Sequence, residues 1–270
     1  MNALIKRVAM TALLVFWALP LCWMVLASLR PESALYATTA TATAGFGGNH
    51  YRALFAERRF WQPMLNSIVV ASCTTLLALV VAVPCAYAMA RLQFRGKRAL
   101  MAVVLAISTF PQVSIVPSLF LILRALGLID TIPGLVLPYL TFATPLAVWL
   151  MAGFFRELPP DLEEAARLDG ASRLRAAVEV ALPLAAPAVA TTAILTFLYA
   201  WNEFLFALSF TVSPDRQTVP VAIALLQGRY QVPWGQILAA AVTASVPVAV
   251  VVLAFQRRIV QRLTTGAVKG

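Results

Sequence analysis

The sequence predicts an all-α membrane protein with six transmembrane helices and both termini in the cytoplasm. This fold class rests on the composition, the length of the apolar segments and the distribution of the basic residues. The 270-residue chain is 61% hydrophobic and 12% charged, with a mean hydropathy of +0.84. Soluble domains are about 45–50% apolar and about 25% charged. The composition is therefore typical of a chain embedded in a lipid bilayer.

Six apolar segments are long enough to cross a bilayer as helices, which requires about 20 residues each. They cover approximately residues 8–29, 64–90, 99–123, 132–155, 184–209 and 237–256. The first segment is longer than the 7–15 apolar residues of a signal peptide. We therefore expect it to remain as the first helix.

The basic residues predict the orientation of these spans. With six crossings, the loops on the side of the two termini hold fourteen of the 21 Lys and Arg residues. Because basic residues favour the cytoplasmic face, both termini are expected to be cytoplasmic. Residues 1–270 then form a single transmembrane domain. Its connecting segments are outer loops at 30–63 and 210–236, an inner loop at 156–183 and a cytoplasmic tail at 257–270.

Several functional classes are disfavoured by the composition. The net charge of +10 does not predict nucleic-acid binding, because no basic helix or aromatic-interleaved patch gathers the basic residues. Anionic headgroups of the lipid bilayer are the better counterpart. A membrane enzyme needs a nucleophile with a base, or ligands at metal spacing. With one histidine, His50, and three scattered cysteines, the chain predicts no catalytic residue, metal site or cofactor of its own.

Prolines occur in most predicted spans and are expected to kink them: Pro84, Pro111, Pro117, Pro138, Pro145, Pro187 and Pro247. Broken helices suit a pathway that opens and closes. Proline is nevertheless common in membrane helices of every kind.

A short charged helix is predicted within the inner loop 156–183. Two prolines end the fourth span, Asp161 then stands at the N-cap position, and Glu164 three residues later completes a capping box. Gly170 is the expected C-terminal stop. The predicted helix, Leu162–Asp169, has about two turns, and isolated helices shorter than about 12–15 residues are marginal in water. Another element or a partner must therefore hold it.

The faces of this helix differ in character. One face carries mostly small side chains at helical spacing, namely Leu162, Ala165, Ala166 and Asp169. On another face, Glu163 and Arg167 are expected to pair at i, i+4. Small side chains would let the helix enter a groove on a partner, whereas the alternative is a solvated surface helix.

Several motifs have a specific spacing. Glu164-Ala165-Ala166 is followed after three residues by Gly170, and after nine more by Val180-Ala181-Leu182-Pro183. This arrangement resembles the signature of the membrane permease subunits of bacterial ABC importers. Further motifs are similar to the carbohydrate branch, and to the smaller permease of maltose- and trehalose-type systems: Asn66-Ser67, Ala86 to Arg91, Trp201-Asn202-Glu203 and the ending from Gln256 to Gly270. The resemblance covers nearly the whole chain.

The resemblance implies a type I ABC importer permease fold and a shared function. The chain would form a heterodimer with a second permease, bind two ATPase subunits that carry ATP and Mg, and receive solute from an extracellular or periplasmic sugar-binding protein. It would itself be a transport subunit of the bacterial plasma or inner membrane and not an enzyme. The solute would be a carbohydrate, and the expected class is a disaccharide such as trehalose or maltose. The residues implied in ATPase docking are Glu164, Ala165, Ala166, Leu168, Asp169, Gly170, Leu182 and Pro183.

Two roles for Glu164 remain open. By the resemblance, it pairs with a basic group on the ATPase. By its spacing, it caps the helix together with Asp161, which needs no partner. Both hold if each carboxylate oxygen serves one role.

The resemblance also implies contacts at the C-terminal tail and at the outer face. Thr264, Thr265, Gly266 and Lys269 would reach between the two ATPases, and a disordered terminus is the alternative. The outer segment 227–236 would contact the sugar-binding protein through Gln227, Tyr230, Gln231 and Trp234. For the two aromatic residues, anchoring at lipid headgroups is the alternative.

Four residues within predicted spans are candidates for the solute pathway: Asn66, Trp201, Asn202 and Glu203. Glu203 is the only acidic residue in a span, and an intramembrane ionisable group is a functional candidate by default. A structural hydrogen bond to Asn202 or a neighbouring span is the alternative. A secondary carrier driven by ions would need no charged inner helix aimed at a partner. An ABC permease for a polyol, glycerol phosphate or oligosaccharide also remains open.

Overall fold

The computed structural model describes residues 3–36, 45–228 and 232–266, in which all regular secondary structure is helical and no β-strand is present. In chain order, the α-helices are α1 (Ala3–Ser28), α2 (Glu32–Tyr36), α3 (Asn49–Arg52), α4 (Trp61–Arg91), α5 (Lys97–Thr109), α6 (Gln112–Ala125), α7 (Ile132–Glu157), α8 (Asp161–Leu168), α9 (Arg173–Ala176), α10 (Leu182–Trp201), α11 (Leu205–Phe210), α12 (Val219–Ala224) and α13 (Trp234–Gly266). Two π-helical segments, Ala53–Glu57 and Ala177–Ala181, and a short 3-10 helix, Pro214–Arg216, lie between them.

Among the described helices, five are long and apolar enough to cross a membrane. They are α1, α4, α7, the stretch Arg173–Trp201 that ends with α10, and α13. Helices α5 and α6 meet the same criterion only as a pair, and they are bent by 92° at the break between them. Counted as one broken span, this pair gives the six predicted crossings. The predicted all-α, multi-pass fold class is therefore confirmed, while the cytoplasmic position of the termini stays a prediction.

The third span is broken at a proline. Phe110 has extended backbone angles (φ −70°, ψ 135°) where α5 ends, and Pro111 precedes the first residue of α6. Proline lacks an amide donor and pushes the preceding residue out of the helical region. These two effects account for the bend. In contrast, α4 continues through Pro84 and α7 continues through Pro138 and Pro145.

The fifth span is also broken, although the sequence predicted a continuous helix over 184–209. Helix α10 ends at Trp201, and α11 begins at Leu205. No proline lies at this break. Instead, the Glu203 carboxylate accepts hydrogen bonds from the amides of Phe206 and Ala207. These bonds satisfy the amide groups that a new helix leaves unpaired at its start.

Helix α4 is the centre of the bundle and packs against α7 and α10. One face of α4 consists of fully buried small residues, Ala71, Ala78, Ala82 and Ala86. Opposite them, α7 buries Ala143 and Ala147. Small side chains let helix backbones approach closely, which is how helices associate inside a membrane. Helix α1, by contrast, packs mainly against α13 and leaves its apolar side chains exposed on the isolated chain.

We call the end of the bundle with α8 the inner end and the opposite end the outer end. Near the outer end, the core is rich in large aromatic side chains, including Tyr139, Phe206 and Phe210. Near the inner end, it is built around Met89, Met151 and Phe155 with several alanines. The sequence predicted an outer loop over residues 30–63. Within it, residues 49–57 are helical, and Leu54 and Phe60 are buried in the outer core.

His50 has a structural role at the outer end. Its Nε2 atom lies 2.8 Å from the carbonyl oxygen of Arg30, and its ring packs on Gly235 so closely that a Cβ atom there would lie 2.2 Å away. Glu32 accepts a hydrogen bond of 3.1 Å from the amide of Gly235. These contacts fasten the chain that follows α1 to the start of α13.

Candidate functional site

Helix α8, the predicted docking helix, begins one residue earlier than its sequence suggested. Pro160 already has helical angles (φ −66°, ψ −26°), and its carbonyl accepts hydrogen bonds from the amides of Glu163 (3.0 Å) and Glu164 (3.1 Å). The predicted capping box of Asp161 and Glu164 is wrong, because within the described residues no side chain caps this helix. Asp161 lies in the first turn, where its negative charge interacts favourably with the positive end of the helix dipole.

The C-terminal end of α8 agrees with the sequence. Gly170 has φ +94°, a left-handed conformation that glycine adopts without the steric cost of a Cβ atom. Its amide donates to the carbonyl of Arg167 (3.1 Å), and the amide of Ala171 donates to that of Ala166 (3.0 Å). This geometry ends the helix after two turns and turns the chain toward α9, as predicted for a glycine stop.

Glu163 fastens α8 to the inner end of α4. One carboxylate oxygen accepts a hydrogen bond from Arg91 Nε at 2.7 Å, and the other accepts from the Tyr87 hydroxyl at 2.6 Å. The predicted pairing of Glu163 with Arg167 is therefore wrong. The Arg91–Glu163 ion pair is largely enclosed, with side-chain exposures of 15% and 12%. Charge-assisted bonds of this kind contribute about 1.5–3 kcal/mol each, enough to hold a helix too short to persist alone.

Arg91 also contacts the chain just before α8. Its Nη2 atom donates to the carbonyl of Leu158 at 2.8 Å. The planar guanidinium therefore binds two elements at once, an arrangement that the single ammonium of lysine does not reproduce. Sequence reasoning assigned no role to Arg91, Tyr87 or Glu163 in this contact, although the Tyr-x-x-x-Arg spacing places both donors on one face of α4.

Behind α8 lies the second half of the spacing motif. The π-helical segment Ala177–Ala181 packs against α8 and buries Ala181. Ser172 begins α9 and accepts a hydrogen bond from the amide of Arg175 at 3.2 Å. Leu182 and Pro183 open α10 with exposed side chains. The motif residues thus form one continuous inner surface.

The free face of α8 is chemically mixed. Leu168 is 89% exposed, and Leu174 beyond the turn is 75% exposed. Glu164 is exposed, and in the described part of the chain its side chain has neither a hydrogen bond nor an ion pair. A shallow groove of about 510 Å³ adjoins this face and is lined by Glu164, Arg167, Leu168, Ala171, Ser172 and Arg173. The exposed Leu168 side chain beside the unpaired Glu164 carboxylate is suited to binding a partner that offers an apolar surface and a basic group.

At the outer end, Asn66 and Ser67 bind the backbone of the loop before α12. The amide nitrogen of Asn66 donates to the carbonyls of Asp215 (2.8 Å) and Gln217 (2.9 Å). The Ser67 hydroxyl accepts from the amide of Val219 at 2.8 Å. Both side chains are buried. Asn66, predicted as a solute-pathway candidate, therefore uses both of its amide hydrogens to hold this loop.

Asp130 organises the same loop from the other side. Its carboxylate accepts hydrogen bonds from the amides of Val212 (2.8 Å) and Ser213 (3.0 Å), and from the Ser213 hydroxyl. Partial burial raises the pKa of Asp130, but these three hydrogen bonds, with the nearby charge of Arg216, outweigh it. The net effect is a pKa below its ordinary value.

The residues around the fifth-span break differ in position. Glu203 is 6% exposed and caps α11, with bonds of 2.8 Å from Phe206 and 3.2 Å from Ala207. Glu203 therefore makes structural hydrogen bonds, as the alternative in the sequence analysis predicted, but its partners are backbone amides of α11 and not Asn202. Trp201 is buried and stacks on Phe197 with 5.8 Å between ring centroids. Asn202 is exposed and donates to the carbonyl of Leu198 at 2.7 Å.

A depression of about 580 Å³ lies where the two broken spans meet. Its lining combines amide, hydroxyl and carboxylate groups with apolar side chains, namely Gln112, Leu195, Leu198, Tyr199, Asn202, Glu203, Phe204 and Leu205. Gln112, in the first turn of α6, donates to the Tyr199 hydroxyl of α10 at 2.6 Å. Sequence reasoning missed Gln112 and Tyr199. A glutamine next to Pro111 within an apolar span was the available signal.

Some predicted contact residues lie outside the described residues. These are Tyr230 and Gln231 in the outer segment and Lys269 in the tail. Gln227 and Trp234 lie in the described parts of the outer segment and are exposed. The backbone of α13 remains helical through Thr264, Thr265 and Gly266. Among the described residues, no group of three or more His, Cys, Asp or Glu side chains could hold a metal ion.

The chain is similar to known membrane transport proteins over most of its length. The trehalose transport system permease protein of Mycobacterium tuberculosis is 47% identical, over 93% of this chain and 92% of that protein. The trehalose/maltose transport system permease protein of Thermococcus litoralis is 39% identical, over 93% of this chain and 91% of that protein. Both are much longer matches than a shared motif would give.

A solved structure agrees with the fold. A chain from the crystal structure of a bacterial ABC transporter involved in the import of the acidic polysaccharide alginate superposes with a TM-score of 0.76. The match is 22% identical and covers 94% of this chain and 95% of that chain.

A family model supplies the remaining comparison. The model described as the inner membrane component of binding-protein-dependent transport systems matches residues 78–265. Together with the permease relatives, this match confirms the resemblance that the sequence motifs predicted. It also confirms a multi-pass membrane protein that serves transport and is not an enzyme. The chain belongs to the family of inner membrane components of binding-protein-dependent transport systems.

Proposed function

We propose that this chain is one permease subunit of an ATP-driven importer for a carbohydrate, best fitted by a disaccharide such as trehalose or maltose. The single observation that carries the proposal is α8, a short helix fastened from behind and presenting an unpaired Glu164 beside the exposed Leu168. The identity to trehalose and trehalose/maltose permeases supports the solute class.

The proposed partners follow from the inner surface. A cytoplasmic ATPase subunit carrying ATP and Mg would receive α8 in a cleft, and a basic group in that cleft would pair with Glu164. Since the observed helix has no capping box, the whole Glu164 carboxylate is available for this pair. Small side chains at Ala165 and Ala166 would let the helix sink deeply. Leu182 and Pro183 would border the contact, with both termini on this cytoplasmic side.

The transport cycle would be one of alternating access without covalent chemistry on this chain. Closure of two ATPases would move the α8 helices of this chain and of a second, related permease. Tilting of the spans would then expose a central pathway to either side in turn. Broken spans suit this movement, because a break lets one half of a helix shift without the other.

Carbohydrate would pass the depression at the two breaks. Sugar hydroxyls both donate and accept hydrogen bonds, and the amides of Gln112 and Asn202 and the hydroxyl of Tyr199 offer both. At the outer end, Gln227, Tyr230, Gln231 and Trp234 would contact a soluble sugar-binding protein. At the inner end, Thr264, Thr265, Gly266 and Lys269 would extend toward the ATPases.

Proteoliposomes test this proposal directly. They would contain the chain with a second, related permease and an ATPase subunit of the same importer, loaded with ATP and supplied with a sugar-binding protein outside. Uptake of labelled trehalose is expected to need internal ATP and to persist when ion gradients are collapsed. Loss of uptake on collapse would overturn the proposal in favour of an ion-coupled carrier.

Competition identifies the solute class. Unlabelled maltose is expected to inhibit trehalose uptake more strongly than a polyol or glycerol phosphate does. Stronger inhibition by either of the latter, or by an oligosaccharide, would reassign the solute.

Glu164→Gln is expected to retain membrane insertion but to lower uptake per ATP hydrolysed. Normal uptake by this variant would contradict the docking role of α8.

A further inference from the structure

Helix α4 is bound at both ends to segments that lie on opposite faces of the protein. We propose that α4 transmits displacement of α8 to the outer loop 211–219, with Tyr87, Arg91 and Asn66 as positioning residues. This inference rests on the proposed function of α8 as the ATPase contact. It goes beyond that function by assigning the route along which the movement travels.

The inner attachment is directional and partly shielded from water. Glu163 receives hydrogen bonds from Arg91 and Tyr87, one on each carboxylate oxygen. The same guanidinium holds the Leu158 carbonyl at 2.8 Å. Because these bonds join the last turn of α4 to the first turn of α8, a push on α8 acts on α4 without an intervening loop.

Helix α4 is continuous between its inner and outer attachments. Trp61–Arg91 forms one α-helix of 31 residues, uninterrupted at Pro84. From Asn66 to Arg91 it spans about 37 Å at the usual rise of 1.5 Å per residue. The buried alanine face against α7 and α10 leaves little room for bending, since packed cores do not deform continuously. Such a helix carries movement along its axis better than a loop does.

The outer attachment is as complete as the inner one. Asn66 donates both amide hydrogens to the carbonyls of Asp215 and Gln217, and Ser67 accepts from Val219. All three contacts are to backbone atoms, so they hold the path of the loop and not one side chain. Burial of Asn66 and Ser67 protects these bonds from competition by water.

The loop in turn is joined to the broken fifth span. Asp130 holds the amides of Val212 and Ser213, and its own amide donates to the Phe210 carbonyl at the end of α11 at 2.9 Å. Helix α11 begins beside the depression at the two breaks, at Leu205. Displacement of α4 therefore reaches the segment that lines this depression.

An alternative route runs through α7, which precedes α8 directly in the chain. The two routes make different predictions. If α7 carries the movement, the hydrogen bonds at the ends of α4 contribute only to stability. If α4 carries it, removing either attachment interrupts the same route. Removing both then costs no more coupling than removing one, because effects within one unit are not additive.

The experiment uses the complete importer in proteoliposomes. The variants are Glu163→Gln at the inner end, Asn66→Ala at the outer end and the double variant. Arg175→Ala is the matched control. Arg175 and Glu179 form an exposed ion pair (66% and 58%) on the same inner side, and both lie within the helical stretch Arg173–Trp201, so the pair joins no separate elements. The readouts are ATPase retained on purification, ATPase stimulation by the loaded sugar-binding protein, and solute uptake per ATP.

Each single variant is expected to retain the ATPase subunits and to lower stimulation and uptake per ATP by about 5–150-fold, the usual range of coupling between sites. Stimulation and uptake per ATP in the double variant should equal those of the single variant with the lower values. Arg175→Ala should show the same values as the parent. Normal coupling in either single variant would overturn the proposed transmission through α4. So would a loss in the double variant equal to the product of the two single losses. If Glu163→Gln inserts poorly, Tyr87→Phe removes one inner hydrogen bond only, and the same comparison decides.

Failure of this inference is distinguishable from failure of the proposed function. If the parent complex retains no ATPase or takes up no carbohydrate, the proposed function is wrong. If the parent transports and a variant at either end of α4 transports equally well per ATP, only the proposed route through α4 is wrong.

Discussion

The Glu203 carboxylate accepts a hydrogen bond of 2.8 Å from the amide of Phe206 and so begins a new helix inside a predicted span. A second bond, of 3.2 Å, comes from Ala207. The same carboxylate lies beside Tyr139 of α7. An acidic residue that looked like a candidate for solute or ion binding thus has a full set of structural contacts. Its position beside the depression makes the shape of that site depend on it.

We expect Glu203→Ala to destabilise the protein and to lower transport together. Loss of a helix cap costs about 0.5–2 kcal/mol, and leaving two buried amides unpaired adds to this cost. Thermal unfolding of the purified protein, followed by tryptophan fluorescence, measures the first effect, and labelled sugar uptake measures the second. Glu203→Gln keeps an acceptor oxygen and should be milder. A full loss of uptake by Glu203→Gln at unchanged stability would indicate a direct role in solute or ion binding.

The contact between Gly235 and His50 gives a second prediction. A Cβ atom at position 235 would lie 2.2 Å from the His50 ring, so Gly235→Ala should displace the ring or the start of α13. We expect lower thermal stability and weaker membrane expression. His50→Ala in the same chain removes the obstacle and should recover part of both losses, because it also removes the contact between His50 and the Arg30 carbonyl. Gly153→Ala is the control, because a Cβ atom there meets no other atom within 4 Å.

A rescue by His50→Ala would identify the steric contact as the cause. If the double variant is no better than Gly235→Ala alone, the defect lies in the backbone at position 235. The bond from its amide to Glu32 would then be the next contact to test.

The sequence predicted this fold well where a single physical quantity decides the outcome. Apolar length placed the spans, and the proline at position 111 marked a place where a helix can break. The break after Trp201 was not predicted, because it depends on where the Glu203 side chain points. The same limit applies to Glu163: helical spacing favoured Arg167 as its partner, but packing brought Arg91 of α4 closer. Local patterns predict elements, whereas contacts between distant elements need the packed structure.

Gly170 provides a test of the helix stop. With φ +94°, any other residue must either adopt a left-handed conformation, at about 1–2 kcal/mol, or shift the turn after α8. We expect Gly170→Ala to leave membrane insertion intact and to lower uptake per ATP. Space is not the limitation, since a Cβ atom there meets nothing within 4 Å. Gly170→Asn should therefore be less damaging, because asparagine tolerates this conformation better than alanine. Equal effects of the two variants would contradict a conformational cause.

Asp130 predicts a pH dependence of the outer loop. Its pKa is held below the usual value of about 3.9 by hydrogen bonds to the ionised form. For a carboxyl group whose pKa is lower in the folded state, the stabilisation is complete above the unfolded pKa and is lost as pH falls through the folded pKa. Asp130→Asn should therefore reduce thermal stability at neutral pH. The difference from the parent protein should shrink as the pH is lowered below about 4.

The control for this measurement is Asp215→Asn in the same outer loop. The Asp215 side chain is exposed, and in the described residues only its backbone carbonyl is a hydrogen-bond partner. The neutral-pH loss should therefore be confined to Asp130→Asn. Since Asp130 and Asn66 hold the same loop from two sides, Asp130→Asn should also lower solute-stimulated ATPase activity. A stability difference that does not change between neutral and acidic pH would show that the Asp130 charge does not hold this loop.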